Sequence, residues 1–378
     1  MDFRLTEEQT MMKTSARDFL EKECPRELVR DMLADERGYP PALWEKMAAL
    51  GWMGLTFPRE YGGAGRGFLD LEVLLEECGR ALLPGPFLPT VVLAGHAILA
   101  AGTEDQKRHF LPRIASGDMI MTLAFMEDGG GPEVSDSAVS AAPKGDGFVI
   151  NGDKLFVPYA HMADWLICLA RTGGAPGDEN GLTLFLVDTA VGGLKIEAMK
   201  TMSGEKLCVV SLNHVAVPGE NVLGELNGAR GVVNRVLDEA AVAECACMVG
   251  GARWVLETTL DYAHQRIQFG RPIGSFQAIQ HKLADMATDL EAASVATCYA
   301  AWMIEQNEPD LSLAVSMAKA WCSDACERIA AQAIQAHGGI GFTWDYDLQL
   351  YFKRAKASQV AFGDGDYHRG RVADILNF

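Results

Sequence analysis

The chain has 378 residues, 33 of them Lys or Arg and 51 Asp or Glu, for a net charge of −18. That balance gives no basic footprint for DNA or RNA and disfavours an anionic membrane surface, so neither is expected as a partner. Hydrophobic content of 49% with 22% charged residues describes a globular chain with ample core, and the length suggests two or three domains.

The first ~115 residues read as helices. Thr6-Glu7-Glu8-Gln9 is a capping box, followed by Met12, Ala16, Phe19 and Leu20 on one face. Pro40-Pro41 opens a second helix carrying Leu43, Met47 and Leu50, closed by Gly51. Helical signals continue from Leu69 to Leu83 and, behind the Thr103-Glu104-Asp105-Gln106 cap, to Ile114. The pattern changes near Met119. Asp146-Gly147 followed by Phe148-Val149-Ile150 predicts a hairpin, and strand-like runs follow at Trp165 to Leu169, Leu182 to Val187, Leu194 to Met199 and Cys208 to Val217. From Gly231 the helical period returns, with long runs at Val255 to Ile267, Ser275 to Ile304 and Leu311 to Ala336. The expected domains are residues 1–115 (α), 116–225 (β, barrel or sandwich) and 226–378 (a four-helix-type bundle).

The nine cysteines are scattered and odd in number, which suits a reducing compartment, and Cys245/Cys247 and Cys322/Cys326 read as buried apolar residues. Met1-Asp2-Phe3-Arg4-Leu5 has no signal-peptide grammar and no run is long enough to span a bilayer, so a cytoplasmic location is expected. There is no G-x-G-x-x-G after a strand, no P-loop, no nucleophile elbow and no zinc signature. Gly129-Gly130-Gly131 reads either as a flexible turn or as backbone that approaches a phosphate. Arg266-Ile267-Gln268-Phe269-Gly270 and Gln335-Ala336-His337-Gly338-Gly339 each close a long helix with glycines beside Arg, Gln or His. They are either Gly-capped connections or a cradle for an anionic, amide-bearing ligand such as a flavin dinucleotide.

With Leu83-Pro84-Gly85-Pro86 and Lys154-Leu155-Phe156-Val157, these segments make the whole chain resemble the acyl-CoA dehydrogenase family. The resemblance implies an α–β–α fold and FAD bound across a homodimer or dimer-of-dimers interface. It implies that Arg266, Gln268, Phe269 and Gln277 contact the FAD of the neighbouring subunit, and that Gln335, Gly338 and Gly339 belong to the stretch that touches its pyrophosphate and adenylate. Leu123, Phe125 and Met126 match one flavin-facing strand, and Phe156 and Pro158 the other. Met126 and Pro158 stand where the family commonly has threonines, which weakens two flavin contacts, and Ser135 or Ser137 could replace a loop serine. Arg171 reads as structural.

The family's reaction implies α-proton removal from an acyl-CoA by a carboxylate, β-hydride transfer to flavin N5, and electron delivery to an electron-transfer flavoprotein. The base has two candidate places. In the Phe362-Gly363-Asp364-Gly365 loop it is Asp364 if Arg371 matches the family's arginine, whereas matching Arg369 puts Phe362 there. On the first long bundle helix the family position falls at Ala240. Glu239 is adjacent and off the face, while Glu244 is one turn further on that face, in an apolar setting that is costly for a glutamate unless it is paired or functional. The C-terminal Gly-Asp-Gly-Asp-Tyr-His-Arg resembles a bacterial branch that includes sterol side-chain dehydrogenases, some of which are heteromers with one base-less subunit. A catalytically silent subunit of a heterotetramer is therefore the alternative, followed by a flavoprotein of altered chemistry such as a desulfinase.

Overall fold

The computed structural model describes residues 3–129 and 133–378; Gly130 and Gly131 of the glycine run lie outside the described residues. Helices α1 (Glu7–Glu23), α2 (Arg26–Ala34), α3 (Pro41–Ala49), α4 (Phe68–Ala81), α5 (His96–Ala101) and α6 (Glu104–Ala115) come first. Strands β1 (Met121–Ala124), β2 (Ser140–Lys144), β3 (Gly147–Pro158), β4 (Trp165–Arg171), β5 (Leu182–Asp188), β6 (Leu194–Ala198), β7 (Leu207–Pro218) and β8 (Val222–Leu223) follow. The rest is α7 (Ala229–Gln265), a small hairpin of β9 (Ile267–Gln268) and β10 (Arg271–Pro272), then α8 (Gln277–Gln306), α9 (Leu311–His337), α10 (Leu348–Val360) and α11 (Gly365–Ile375). The order is the expected one: a helical start, a middle sheet and a C-terminal helical bundle.

Both capping boxes form, with Thr6 accepting from Gln9 N and Thr103 from Gln106 N. Three features were not legible. Helix α2 is only nine residues long, shorter than the window in which a helical period is read, although its Val29 and Met32 are buried. Residues Leu88–Gly95 form a π-helical stretch continuous with α5, where an apolar run left helix and strand ambiguous. Strand β1 pairs in parallel with β4, a non-local pairing that no turn residue announces.

By internal contacts the chain forms two compact units. One comprises Met1–Arg30, Gly67–Leu83 and Ala241–Phe378. In it α9 packs against α8, α10 and α11, and its buried positions are mostly small: Ala314, Ala318, Cys322, Ala325, Cys326 and Ala333. Small side chains let helix axes approach closely. The same device brings α4 against the C-terminal part of α7. A Cβ on Gly79 would fall within 2.0 Å of the Cys247 carbonyl, and one on Gly250 within 1.8 Å of the Glu76 carbonyl. Buried carboxylates of α4 are met by bases from both sides: Glu76 pairs with Lys13 (2.6 Å) and Arg253 (2.8 Å), and Glu77 with Arg17 (2.8 Å).

The other unit comprises Asp31–Arg66 and Pro84–Ala240. It holds an eight-stranded sheet in the order β6-β7-β3-β2-β4-β5-β8, with β1 also on β4. Strands β4 and β5 are buried along almost their whole length, so they lack the alternation of a half-exposed strand. Arg171 is structural, as expected: buried, it donates to the carbonyls of Ser137 (2.8 Å), Ser135 (2.5 Å) and Asn180 (2.9 Å).

Candidate active site

In the sheet-bearing unit, the two segments expected to face a flavin are joined to each other. Leu123 is buried, and Phe125 and Met126 are half-buried just past β1. Leu155 N donates to Met126 O (2.9 Å), and the ammonium of Lys154 donates to Phe125 O (3.1 Å). Lys154 is 0% exposed and reaches Glu127 at 2.5 Å and Ser137 Oγ at 3.1 Å. Burial alone would raise the Glu127 carboxyl, but Lys154 and its hydrogen bonds hold it below its ordinary value. Ser137, a candidate flavin-facing serine, is buried and donates to Glu127 (2.5 Å), so its hydroxyl is engaged within this network.

The register of β3 against β7 shifts between Lys154 and Val157. That bulge turns Phe156 outward, with φ +53° and 45% exposure, and Pro158 is half-buried beyond it. A bulky residue at positive φ is strained and persists where its surroundings enforce it, as functional sites do.

In the helical unit, the hairpin after α7 and the end of α9 are drawn together. The Tyr262 ring stacks on His337 at 4.1 Å and its hydroxyl donates to His337 O (3.3 Å). Four residues past Tyr262 begin Arg266, Gln268 and Phe269, all exposed; Phe269 is 92% exposed with φ +53°. Gln277, at the start of α8, and Gln335, near the end of α9, are also exposed. Nothing lies within 4 Å of where a Cβ would be on Gly338 or Gly339, which leaves an open backbone cradle. Beside it His337 is buried, and desolvation lowers its imidazole below the ordinary value. Its Nδ1 donates to Ala333 O (2.8 Å), leaving Nε2 as a bare acceptor without a partner among the described residues. An open glycine cradle, an orphaned acceptor, an exposed aromatic and an arginine fit the sugar-phosphate part of a flavin dinucleotide.

The two candidate bases belong to this unit and differ in kind. Asp364 is exposed and serves as the N-cap of α11, accepting from Tyr367 N at 2.8 Å. Glu244 is half-buried on α7 between fully buried Ala243 and Cys245. Both lie in the field of Lys319, a residue the sequence reading missed. Lys319 is 0% exposed and donates to Ser323 Oγ (3.0 Å) and to the carbonyls of Ser358 (3.0 Å), Gln359 (3.1 Å) and Gly363 (3.0 Å). The next turn is strained: Phe362 has φ +56° and Gly363 φ +98°. His368, fully buried, donates from Nε2 to Phe362 O (3.0 Å), and burial pushes it down to about 4. The available signal for Lys319 was a charged residue on the apolar face of α9, four residues after Val315 and three before Cys322.

Glu239, adjacent to the family's helix position, is spoken for within the sheet-bearing unit. It pairs with His96 Nδ1 (2.8 Å) and Arg235 (2.6 Å), which hold it below its ordinary value against the effect of burial. Of the nine cysteines seven are buried and two intermediate, none is in a disulfide, and no group of metal-binding side chains occurs among the described residues.

A helical–sheet–helical chain with strained aromatics on two surfaces and a glycine cradle for a dinucleotide has the form of a flavin-dependent oxidoreductase. Models of the N-terminal, middle and C-terminal domains of acyl-CoA dehydrogenase match residues 6–118, 122–215 and 227–376. The chain belongs to the acyl-CoA dehydrogenase family, whose members are FAD-dependent flavoproteins acting on CH–CH donors. It is 33% identical to the probable acyl-CoA dehydrogenase YngJ of Bacillus subtilis, over 100% of both chains. It is 30% identical to the caffeyl-CoA reductase–Etf complex subunit CarC of Acetobacterium woodii, over 98% of each. Among solved structures, the ChsE4–ChsE5 complex of Mycobacterium tuberculosis matches with a TM-score of 0.91 at 28% identity, covering 100% of this chain and 99% of the other. No helix among the described residues is long and apolar enough to cross a membrane.

Proposed function

We propose that this chain desaturates an acyl-CoA between Cα and Cβ, with Glu244 taking the α-proton and an electron-transfer flavoprotein as the electron acceptor. The observation that carries this reading is Glu244 itself: a half-buried carboxylate in an apolar stretch of α7, within the electrostatic reach of buried Lys319. A base needs to be desolvated yet able to ionise, and the apolar stretch and the Lys319 charge are the two features that support Glu244 in that role. Asp364 is shorter and already committed to capping α11. FAD, when bound, supplies the hydride acceptor. In this reading Arg266, Gln268, Phe269, Gln277, Gln335, Gly338 and Gly339 hold the dinucleotide of the neighbouring subunit. Leu123, Phe125, Met126, Phe156 and Pro158 shape the flavin face. With Met126 and Pro158 in place of hydroxyl donors, that face relies on backbone and apolar contact. The electron acceptor is supported by the CarC relative, which by name belongs to an Etf complex.

The test is anaerobic titration of the purified flavoprotein with a panel of acyl-CoAs while the visible flavin band is followed. Bleaching by one thioester is expected, with Glu244→Gln slowing it ~10²–10⁴-fold and Asp364→Asn leaving it near wild type. The reverse ranking overturns Glu244 as the base.

A second reading has its own support. Phe362, which takes the base position in one register of the loop, is held at φ +56°, and the similar ChsE4–ChsE5 structure is a complex of two chains. A silent subunit of a heterotetramer would bleach with no thioester alone and only in the presence of its partner.

A further inference from the structure

Lys319 is held by more acceptors than a neutral amine can serve. Three carbonyls and a serine hydroxyl lie within 3.1 Å of Nζ, and an amine has only two N–H groups against an ammonium's three. Two of those carbonyls, Ser358 and Gln359, are at the C-terminal end of α10, where orphan carbonyls favour a cation. The third, Gly363, is in the strained turn that leads into α11. Ser323, one turn along α9, also donates to Gln359 O (3.2 Å). A single side chain of α9 thus ties the end of α10 to the turn before α11, and His368 holds the neighbouring carbonyl, Phe362 O.

The ionisable groups facing Lys319 are Glu244 and Cys245 from α7, Cys322 from α9, Asp364 from the turn and His368 from α11. Glu244 and Asp364 are the carboxylates among them, and Asp364 is exposed whereas Glu244 is half-buried. Of these two carboxylates Glu244 is the less screened by solvent, so the charge acts on it more than on Asp364.

We propose that Lys319 is a positioning residue for the dehydrogenation: it fastens the 358–364 turn to α9 and supplies the field under which Glu244 works as a base. This rests on the dehydrogenase reading above. It predicts two separable defects. Removing the charge disfavours ionised Glu244, and releasing the carbonyls loosens the turn.

The experiment compares the FAD-loaded wild type with Lys319→Met and Ser323→Ala, using the thioester that bleaches the wild type. In Lys319→Met, kcat falls ~10–100-fold with little change in KM, and the acid limb of the kcat/KM profile moves up by about one pH unit. Ser323→Ala keeps the charge, so kcat falls by a few-fold at most with the acid limb unmoved. Amide hydrogen exchange across residues 358–365, read without turnover, speeds up in both variants. A Lys319→Met enzyme whose acid limb does not move overturns the inference, and so does a Ser323→Ala enzyme whose limb moves equally. Unchanged exchange in the turn overturns the fastening. If Lys319→Met does not fold, Ser323→Ala and its exchange profile still decide the fastening. An inert wild type, by contrast, overturns the dehydrogenase reading itself.

Discussion

Two lysines are buried to 0% exposure, one under the sheet and one in the bundle, and they are satisfied in opposite ways. Lys154 has a carboxylate 2.5 Å away, so its charge is cancelled locally and its role is to join two strand ends. Lys319 is surrounded by carbonyl dipoles, and no ion pair closes on it among the described residues. Dipoles solvate a charge without neutralising it. A buried charge with its own counter-ion is architecture, whereas one held by dipoles keeps a field that neighbouring groups feel.

The largest expected effect tests the architectural half. Lys154→Met leaves Glu127 buried without its counter-charge, which costs about 3–5 kcal/mol by denaturant unfolding, while Lys154→Met combined with Glu127→Leu recovers most of it. If the double variant is as unstable as the single one, the pair is not what sets the cost.

Next comes a buried acid without a counter-ion in contact. Glu72 on α4 is pushed up to about 8 by desolvation and by Glu76 nearby, from an ordinary 4.5. A folded value above the unfolded one means stability is fully present below about pH 4.5 and is lost as pH rises through about 8. Glu72→Gln should remove that loss, gaining up to about 5 kcal/mol over wild type at alkaline pH and little near pH 4.5. Equal gains at both ends would refute burial of the charge as the cause.

His368 gives the opposite and smaller slope. Its folded value of about 4 lies below the ordinary 6.5, so its contribution is present above 6.5 and lost as pH falls toward 4. Unfolding at the two ends of that window should differ by about 3 kcal/mol on its account. His368→Gln, which keeps a donor for Phe362 O, should flatten that part of the profile.

Legibility followed locality. The Thr6 and Thr103 caps, the Asp146-Gly147 hairpin and the periods of α8 and α9 were readable because each depends on residues a few positions apart. The glycines after α9 were readable as the end of that helix for the same reason. The base was not. Aligning the loop by Arg369 or by Arg371 is equally consistent with the letters; in the structure Asp364 is exposed and caps a helix, Glu244 is half-buried, and both lie in the field of Lys319. Nor could the letters tell that Ser137 donates to Glu127, or that Glu239 is paired with His96 across 143 residues.

By itself the sequence determined the order of helix, sheet and helix and the chain's acidity, because periodicity, turn chemistry and charge are properties of neighbours in the chain. Only the tertiary structure decided which charges are cancelled and which are left to act. That depends on how far each group is taken from water and on what stands within a few ångströms of it, and Lys319 on α9 meets the end of α10 and the turn before α11 through residues as many as 44 positions apart.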